Sequence, residues 1–351
     1  MSTYVLSKEE SHRINILKYI SIILVVYIHS YVEEVNFADG TDTLFLPWWL
    51  LSLENLVSKV IAKCAVPMFF LISSILLFKT QRSYKKTITG KIRSLLIPYL
   101  IWNSFWIIVF ILLQSLSFTA PFFSGSNITI MQSSVTEWLE LYGIGPSLPY
   151  PHAYPLWFMR DLMVITPCFP FIGKIASKFS KPLLICSVVL LLAPINFPLK
   201  QAILWFCLGA CIVNLQIHIT VLDSIAMWKI SLFYILCASI TLIAEHSITY
   251  NLFIFVSLGY WARLSKCIFD CKISRNIFIN LSEWTFIIYV AHELTLSSLK
   301  KVCLRILPTE PIWLLIEYLA IPIIVIAGCS IVGVVFKKTA PNLYSILTGA
   351  R

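Results

Sequence analysis

The chain has 351 residues, of which 58% are hydrophobic and only 13% are charged, whereas soluble domains are about 25% charged. One soluble core cannot bury so many apolar side chains. The composition therefore excludes a soluble enzyme, a nucleic-acid-binding domain and a disulfide-linked secreted module. We expect an all-α, polytopic bundle of transmembrane helices that forms one domain over residues 1–351. The net charge of +10 must then be assigned loop by loop.

Ten apolar segments are candidate spans, since a transmembrane helix needs about 20 mainly apolar residues. They cover about 14–33, 56–78, 95–117, 154–173, 182–197, 199–215, 225–243, 248–264, 277–299 and 311–336. The fifth and sixth are short, and Pro194 and Pro198 lie between them. This pair is therefore expected to form a tight hairpin, and about eight to eleven spans are compatible with the pattern.

The distribution of Lys and Arg predicts the orientation. With both termini in the cytoplasm, nineteen of these residues fall on inner segments and six on outer ones, as the positive-inside rule requires. The cluster from Lys300 to Arg305 is the exception. The outer segment 118–153 contains no Lys or Arg and is expected to be a lid over an outward-facing site, because long loops are usually functional or disordered.

Ionisable residues inside the predicted spans are costly in lipid and are therefore functional candidates. They are Lys18, His29, Arg160, Asp161, Glu283, His292, Glu293 and Glu317. At about 1.5 Å per helical residue, five of them fall within roughly the outer third of the bilayer. Those five are His29, Arg160, Asp161, His292 and Glu293. We expect them to converge.

Each of these candidates also has a structural interpretation. Lys18 and His29 are eleven residues apart, about three turns, and so share a helix face that fits a path across the membrane. Alternatively, Lys18 reaches inner phosphates and His29 bonds a carbonyl. Adjacent Arg160 and Asp161 do not face each other on a helix. Each is expected to pair with substrate or with another helix, in a catalytic role or in a structural ion pair.

The cytoplasmic segment 79–93 is strongly basic. It contains Lys79, Arg82, Lys85, Lys86, Lys91 and Arg93. Such a segment either anchors the protein to anionic lipid or docks a donor that carries phosphate groups. The charge count alone favours the lipid anchor.

Five segments, in three groups, carry motifs in a characteristic order. They are Arg13–Ser30 (RINILKYISIILVVYIHS), then Val66–Ser74 (VPMFFLISS) with Lys91–Trp102 (KIRSLLIPYLIW), and Pro155–Leu162 (PLWFMRDL) with Phe286–Glu293 (FIIYVAHE). Together they resemble acyltransferase family 3, in particular its bacterial branch that O-acetylates surface polysaccharides. The chain departs from the pattern at Ser74, where the family often has Gly, and at Ser94, where a second Arg is common.

The resemblance implies roles for individual residues. His29 is implied as the essential catalytic residue and Lys18 as its basic partner, while Lys91 and Arg93 are implied to contact acyl-CoA. Donor docking is thereby favoured over the lipid anchor. We assign the same cofactor-binding role to Arg82, Lys85 and Lys86.

A transfer mechanism follows from this chemistry. Neutral His29 is suited to take the proton of a sugar hydroxyl, and Arg160 is the first candidate donor for the developing oxyanion. Asp161 or Glu293 would orient His29 or His292. The aromatic residues Tyr150, Tyr154 and Trp157 are expected to line the acceptor mouth, or else to form an interfacial belt.

These expectations describe a membrane O-acetyltransferase of the bacterial inner membrane. Its co-substrate would be acetyl-CoA, and its acceptor a surface glycan or another hydroxyl compound. No nucleic-acid partner is expected, and no metal, because Cys267 and Cys271 lack a second ligand pair nearby. The rival class is a proton-coupled transporter or glycan exporter that uses the same His, Arg and Asp as a proton relay. Labelled acetyl-CoA distinguishes the two classes.

Overall fold

The chain is almost entirely helical in a computed structural model that describes residues 4–31, 34–37, 40–44, 46–80, 82–123, 130–146 and 148–349. The expected all-α class is therefore confirmed. Within these ranges the β-structure is one short antiparallel hairpin, formed by β1 (Glu34–Phe37) and β2 (Gly40–Thr43).

Sixteen α-helices lie within the described ranges. They are α1 (Lys8–Ile28), α2 (Trp48–Glu54), α3 (Ala65–Phe78), α4 (Tyr84–Lys91), α5 (Ile97–Ser115), α6 (Ala120–Phe123), α7 (Val135–Glu140), α8 (Trp157–Ile165), α9 (Phe169–Leu192), α10 (Lys200–Asn214), α11 (Met227–Ala244), α12 (Ser247–Asp270), α13 (Lys272–Ser282), α14 (Thr285–Ile306), α15 (Pro311–Thr339) and α16 (Pro341–Thr348). Short π or 3₁₀ turns continue some of them, as at Asn55–Val60 before α3 and at Ile92–Leu96 before α5.

Seven helical segments of the described chain are long and apolar enough to cross a membrane, so this is a multi-pass membrane protein. They are Lys8–Ile28, Trp48–Phe78, Tyr84–Ser115, Tyr154–Leu192, Met227–Ala244, Ser247–Asp270 and Pro311–Thr339. The ten predicted spans differ from these seven for physical reasons. The predicted fourth span and most of the fifth lie within one helical segment, Tyr154–Leu192. The helix α10 has 15 residues, about 22 Å at the usual rise, which is less than the roughly 30 Å hydrocarbon core.

The first helix begins earlier and ends earlier than the predicted span 14–33. It begins at Lys8 because Ser7 and Glu10 form a capping box. The Ser7 amide donates to the Glu10 carboxylate at 2.8 Å, and the Glu10 amide donates to the Ser7 hydroxyl at 3.1 Å. The helix ends at Ile28, so that His29 stands just beyond its last residue.

The predicted hairpin around Pro194 and Pro198 joins α9 to α10. Helix α9 continues through residues 174–181, which separate the predicted fourth and fifth spans. It is kinked at Phe179 (φ −133°, ψ 43°). The kink lies three residues before Pro182, whose ring disrupts the preceding turn. The ammonium of Lys200 then donates to the carbonyls of Ala193 and Ile195 at 2.8 and 2.7 Å. These bonds satisfy carbonyls that the helix end leaves open.

The chain divides into two compact units. The first comprises Met1–Val25, Asn55–Ile88 and Asp161–Thr285. The second comprises Val26–Glu54, Thr89–Arg160 and Phe286–Arg351. Each unit is therefore assembled from three separate stretches of sequence.

The first unit contains a close helix contact between α3 and α10. A Cβ atom on Gly209 would lie 2.4 Å from the Cβ of Ser74, which is far inside van der Waals contact. The Ser74 hydroxyl donates to the Phe206 carbonyl at 2.6 Å. Small residues allow membrane helices to approach closely. Gly209 therefore supplies the small residue on α10 that Ser74 on α3 requires.

The first unit also buries the guanidinium of Arg13 completely. It donates to Asp223 at 2.7 and 3.0 Å and to the Ala262 carbonyl at 2.8 Å. Its Nε donates to the Ser265 hydroxyl at 3.1 Å. A buried charge is tolerated only when it is paired and hydrogen-bonded in this way. Arg13 therefore links α1 to α12 structurally.

The second unit places its C-terminal helix α16 on α5. The indole N–H of Trp102 donates to the Leu347 carbonyl at 3.0 Å. Gly349 adopts a left-handed conformation (φ +70°), and a Cβ there would lie 2.6 Å from the Cα of Ser94. Only glycine fits this approach. The end of α16 thus lies against Ser94, in the π turn that precedes α5.

Candidate active site

His29 lies on the turn that follows α1, inside the second unit. Its amide donates to the Val26 carbonyl at 3.2 Å, and the Ser30 amide and hydroxyl both donate to Tyr27 at 3.2 and 2.9 Å. These short-range bonds end the helix and replace the bonds of an α-turn. His29 is half-buried. Its side chain is therefore held at a helix end.

Aromatic rings from distant parts of the sequence lie beside the ring of His29. The His292 ring lies 5.5 Å away between centroids at an angle of 49°. The Tyr154 ring lies 5.9 Å away and is nearly perpendicular, at 79°. The structure thus brings together three residues that the sequence assigned to the site.

His292 on α14 is fully buried, and its tautomer follows from its contacts. Its Nδ1 lies 3.0 Å from the Ile288 carbonyl and 2.9 Å from the Tyr289 carbonyl. Carbonyl oxygens only accept hydrogen bonds, so Nδ1 carries the proton and Nε2 carries the lone pair. Among the described residues, Nε2 has no hydrogen-bond partner. A second proton on this unpartnered, fully buried nitrogen would place a charge where it is costly, so we treat His292 as a neutral imidazole with an open acceptor nitrogen.

Aromatic side chains extend the site toward the surface of this unit. The Tyr150 ring lies 4.7 Å from Tyr154 and 6.3 Å from Trp157. Tyr150 and Tyr154 are exposed, at 58% and 37%. The Tyr289 hydroxyl donates to the Pro155 carbonyl at 2.6 Å and so ties α14 to the start of α8. These exposed rings form an accessible aromatic rim beside His29.

Arg160 contacts the loop before α8. One guanidinium nitrogen donates to the carbonyls of Leu148, at 3.0 Å, and of Pro149. Gly143 has φ +67°, and a Cβ there would lie 3.1 Å from the Arg160 Cδ. Arg160 therefore links Leu148 and Pro149 to the start of α8 and packs beside Gly143. Its role as an oxyanion donor stays a prediction.

Asn103 on α5 is a second anchor of this loop that the sequence did not indicate. Its buried amide donates to the Leu141 carbonyl at 2.8 Å, and its oxygen accepts the Ala153 amide at 3.0 Å. The Tyr99 hydroxyl donates to the Tyr142 carbonyl at 2.7 Å. The described part of the predicted lid 118–153 is thus fixed to α5 near residues 141–153, whereas residues 124–129 and 147 lie outside the description.

Lys300 is a further residue that sequence reasoning placed on the outer surface. It is only 9% exposed. Its ammonium donates to the carbonyls of His29 and Tyr31 at 3.0 and 2.9 Å. Glu293, two turns earlier on the same helix, attracts it electrostatically. The signal in the sequence was the unexpected cation cluster near the end of α14.

The remaining residues predicted for the site lie in other parts of the fold, and their roles stay predictions. Lys18 and Asp161 belong to the first unit, where Lys18 contacts the side chain of Asn15 at 3.3 Å and Asp161 is buried. The residues predicted to bind the donor lie on or beside α4 and the π turn that follows it, and all but half-buried Lys91 are exposed. They are Arg82, Lys85, Lys86, Lys91 and Arg93.

Multiple apolar helices and a histidine pair beside an accessible aromatic rim define a membrane protein with a candidate acid–base site. The family model described as an acyltransferase domain matches residues 11–336, and the chain therefore belongs to the acyltransferase 3 family. The resemblance expected from its motifs is confirmed.

One curated relative is the succinoglycan biosynthesis protein ExoH of Rhizobium meliloti (strain 1021). It is 27% identical over 225 residues, which are 62% of this chain and 57% of the relative. The match thus spans little more than half of that protein's length. No solved structure matches the chain significantly.

Proposed function

We propose that this protein is a membrane O-acyltransferase that moves an acetyl group from cytoplasmic acetyl-CoA to a hydroxyl of an extracytoplasmic glycan. The observation that carries this proposal is the placement of His29 beside the neutral, buried His292 in a chain of the acyltransferase 3 family. Neutral imidazole is an effective general base near pH 7. The distribution of Lys and Arg supports an orientation with both termini inside, in the inner membrane of a bacterium.

The proposed reaction is a direct transfer. The hydroxyl oxygen attacks the thioester carbonyl carbon while His29 takes the hydroxyl proton. The tetrahedral intermediate then collapses with cleavage of the carbon–sulfur bond, and the proton returns from His29 to the departing CoA sulfur. General acid–base assistance of this kind contributes about 10²–10⁴-fold to the rate. His292, whose Nε2 carries a lone pair, is proposed to orient the His29 ring.

The donor is proposed to bind through its phosphates at the basic segment. The exposed guanidinium and ammonium groups of Arg82, Lys85, Lys86 and Arg93 suit charge-assisted contacts to phosphate oxygens. The acyl arm would extend from there into the helices. Lys18 is the cation proposed to support this path on α1.

The acceptor is proposed to be a polysaccharide or a related saccharide. This part of the proposal is supported by the name of the relative from succinoglycan biosynthesis and by the rim of Tyr150, Tyr154 and Trp157. Aromatic rings with polar tips suit the mixed faces of sugars. Glu293 beside the site is proposed as an acceptor contact.

Reconstituted protein tests this function. Proteoliposomes receive acetyl-CoA labelled in the acetyl group and an oligosaccharide prepared from an unacetylated surface glycan. We expect alkali-labile label in the oligosaccharide and an equal amount of free CoA thiol, with neither in empty vesicles. Movement of unlabelled oligosaccharide across the membrane without ester formation would instead indicate the transporter.

A further inference from the structure

The end of helix α1 leaves main-chain carbonyls that need partners. A helix has no internal donors for its last carbonyl groups, and its C-terminal end carries a partial negative charge. His29 and Tyr31 are the first and third residues after this end. Their carbonyls both receive hydrogen bonds from the ammonium of Lys300, at 3.0 and 2.9 Å. The Lys300 ammonium on α14 therefore binds the main chain on both sides of Ser30.

The burial of Lys300 shows that this contact is more than a surface interaction. The residue is only 9% exposed, and a buried ammonium is costly unless it is paired and hydrogen-bonded. The two carbonyls supply hydrogen bonds, and Glu293 and Glu54 supply nearby negative charge. The Tyr31 ring also lies 5.5 Å from the ammonium, within the range of a cation–π contact.

Helix α14 thereby contacts both the side chain and the main chain of His29. Its residue His292 packs beside the His29 ring at 5.5 Å, and its residue Lys300 binds the His29 main chain. The two residues are eight positions apart, about 12 Å along one rigid helix. A side chain at a frayed helix end would otherwise sample several orientations, since helix termini fray.

We infer that Lys300 is a positioning residue that clamps the main chain of His29 and Tyr31 and so holds the His29 imidazole in its reactive orientation. The inference rests on the proposed function of His29. Lys300 contacts neither substrate in this scheme. Its removal should therefore lower kcat without changing the affinity for either substrate.

Two variants with a matched control test this in the full-length protein in membranes. Lys300→Met removes both hydrogen bonds and the charge, and Lys300→Gln keeps an amide that can still donate. Lys301→Met is the control. Lys301 is the next residue and is similarly buried, with only 8% of its surface exposed. Its ammonium lies 5.3 Å from the centre of the Phe123 ring. One readout is the kinetics of acetyl transfer. The other is the rate at which diethyl pyrocarbonate modifies His29, measured by peptide mass spectrometry, which requires no activity.

We expect Lys300→Met to lower kcat by about 30–100-fold, since misplacement by about 1 Å can cost about 10²-fold. Both KM values should stay within about threefold of wild type, and His29 should be modified several times faster. Lys300→Gln should recover part of kcat, and Lys301→Met should resemble wild type. A residue that acted only in folding would change the amount of protein and leave kcat per folded molecule unchanged.

The inference is overturned if Lys300→Met keeps wild-type kcat and wild-type His29 reactivity, or if Lys301→Met loses as much as Lys300→Met. Should Lys300→Met fail to accumulate, Lys300→Gln decides by the same two readouts. Equal activity of wild type and His29→Ala would remove the proposed function instead. In that case the modification rate of His29 still tests the clamp separately.

Discussion

The imidazole ring of His292 lies 5.5 Å from that of His29 and is inclined to it by 49°. Two carbonyls of its own helix fix its Nδ1 proton, and its side chain is fully buried. His29 stands instead at the end of a helix and is half-buried. The pair thus combines an accessible imidazole with a fixed, neutral one, which suits a base and its orienting neighbour.

Replacement of His292 tests this relationship. In His292→Leu the open Nε2 acceptor is lost, and we expect kcat to fall by about 10–100-fold, less than the full contribution of a general base, about 10²–10⁴-fold. Folding should tolerate the change, because Nε2 has no hydrogen-bond partner among the described residues and the Nδ1 contacts are to carbonyls of the same helix. The control is His12→Leu on α1, where the ring packs against Phe269. Equal kcat in both variants contradicts an orienting role for His292.

The second prediction concerns the anchor at Asn103. In Asn103→Ala the buried Ala153 amide loses its acceptor, which should lower the free energy of unfolding by about 2 kcal/mol. The segment 141–153 should also become more sensitive to protease. Asn214→Ala is the control, since that side-chain amide donates at 2.9 Å to the Ala210 carbonyl, one turn away on its own helix. If both variants show the same thermal midpoint and cleavage pattern, Asn103 does not secure the loop.

Gly209 provides a prediction about helix packing in the first unit. Gly209→Ala would place a Cβ 2.4 Å from Ser74, so α3 and α10 must separate and the thermal midpoint should fall by several degrees, as for other overpacked sites. Gly328→Ala is the control, because in the described part of the chain no atom beyond its own helix backbone and chain neighbours lies within 4 Å of the added Cβ. Adding Ser74→Gly should restore most of the loss. Failure of this second change to rescue folding would contradict the proposed contact.

The basic segment supplies a prediction about the donor. The double variant Lys91→Ala/Arg93→Ala should raise the KM for acetyl-CoA by about tenfold at low salt, because two charge-assisted phosphate contacts are lost. The effect should shrink at high salt through screening. Lys337→Ala/Lys338→Ala removes the same charge from an exposed part of α15 and should change KM little. Equal KM values for acetyl-CoA in the two double variants would contradict donor binding at Lys91 and Arg93.

Sequence patterns predicted the helical class well because span length and hydrophobicity are local properties. They also indicated that His29 and His292 share a depth, and the two rings lie 5.5 Å apart. The end of α1 was misplaced by five residues, because hydrophobicity continues through His29 to Val32 while the helix stops before them. Hydropathy does not report a helix end that is capped from another helix.

The contacts of Lys300 and Asn103 were beyond sequence reasoning for a different reason. Both residues bond main-chain atoms from distant parts of the chain, and main-chain partners leave no mark in the sequence. Lys300 was assigned to the outer surface because the predicted span 277–299 ends just before it. The carbonyls of His29 and Tyr31 explain its burial, since they accept hydrogen bonds from its ammonium. Arg160 illustrates the same limit, since its contacts with Leu148 and Pro149 are also to carbonyls.

The most direct measurement is the rate of acetyl transfer from acetyl-CoA to the oligosaccharide by His29→Ala, compared with His12→Ala and wild type in the same proteoliposomes. If His29 is the general base, transfer falls by about 10²-fold or more, while the amount of folded protein and the KM for acetyl-CoA stay close to wild type. The His12→Ala protein should transfer at the wild-type rate. Transfer by His29→Ala at the wild-type rate would contradict the account.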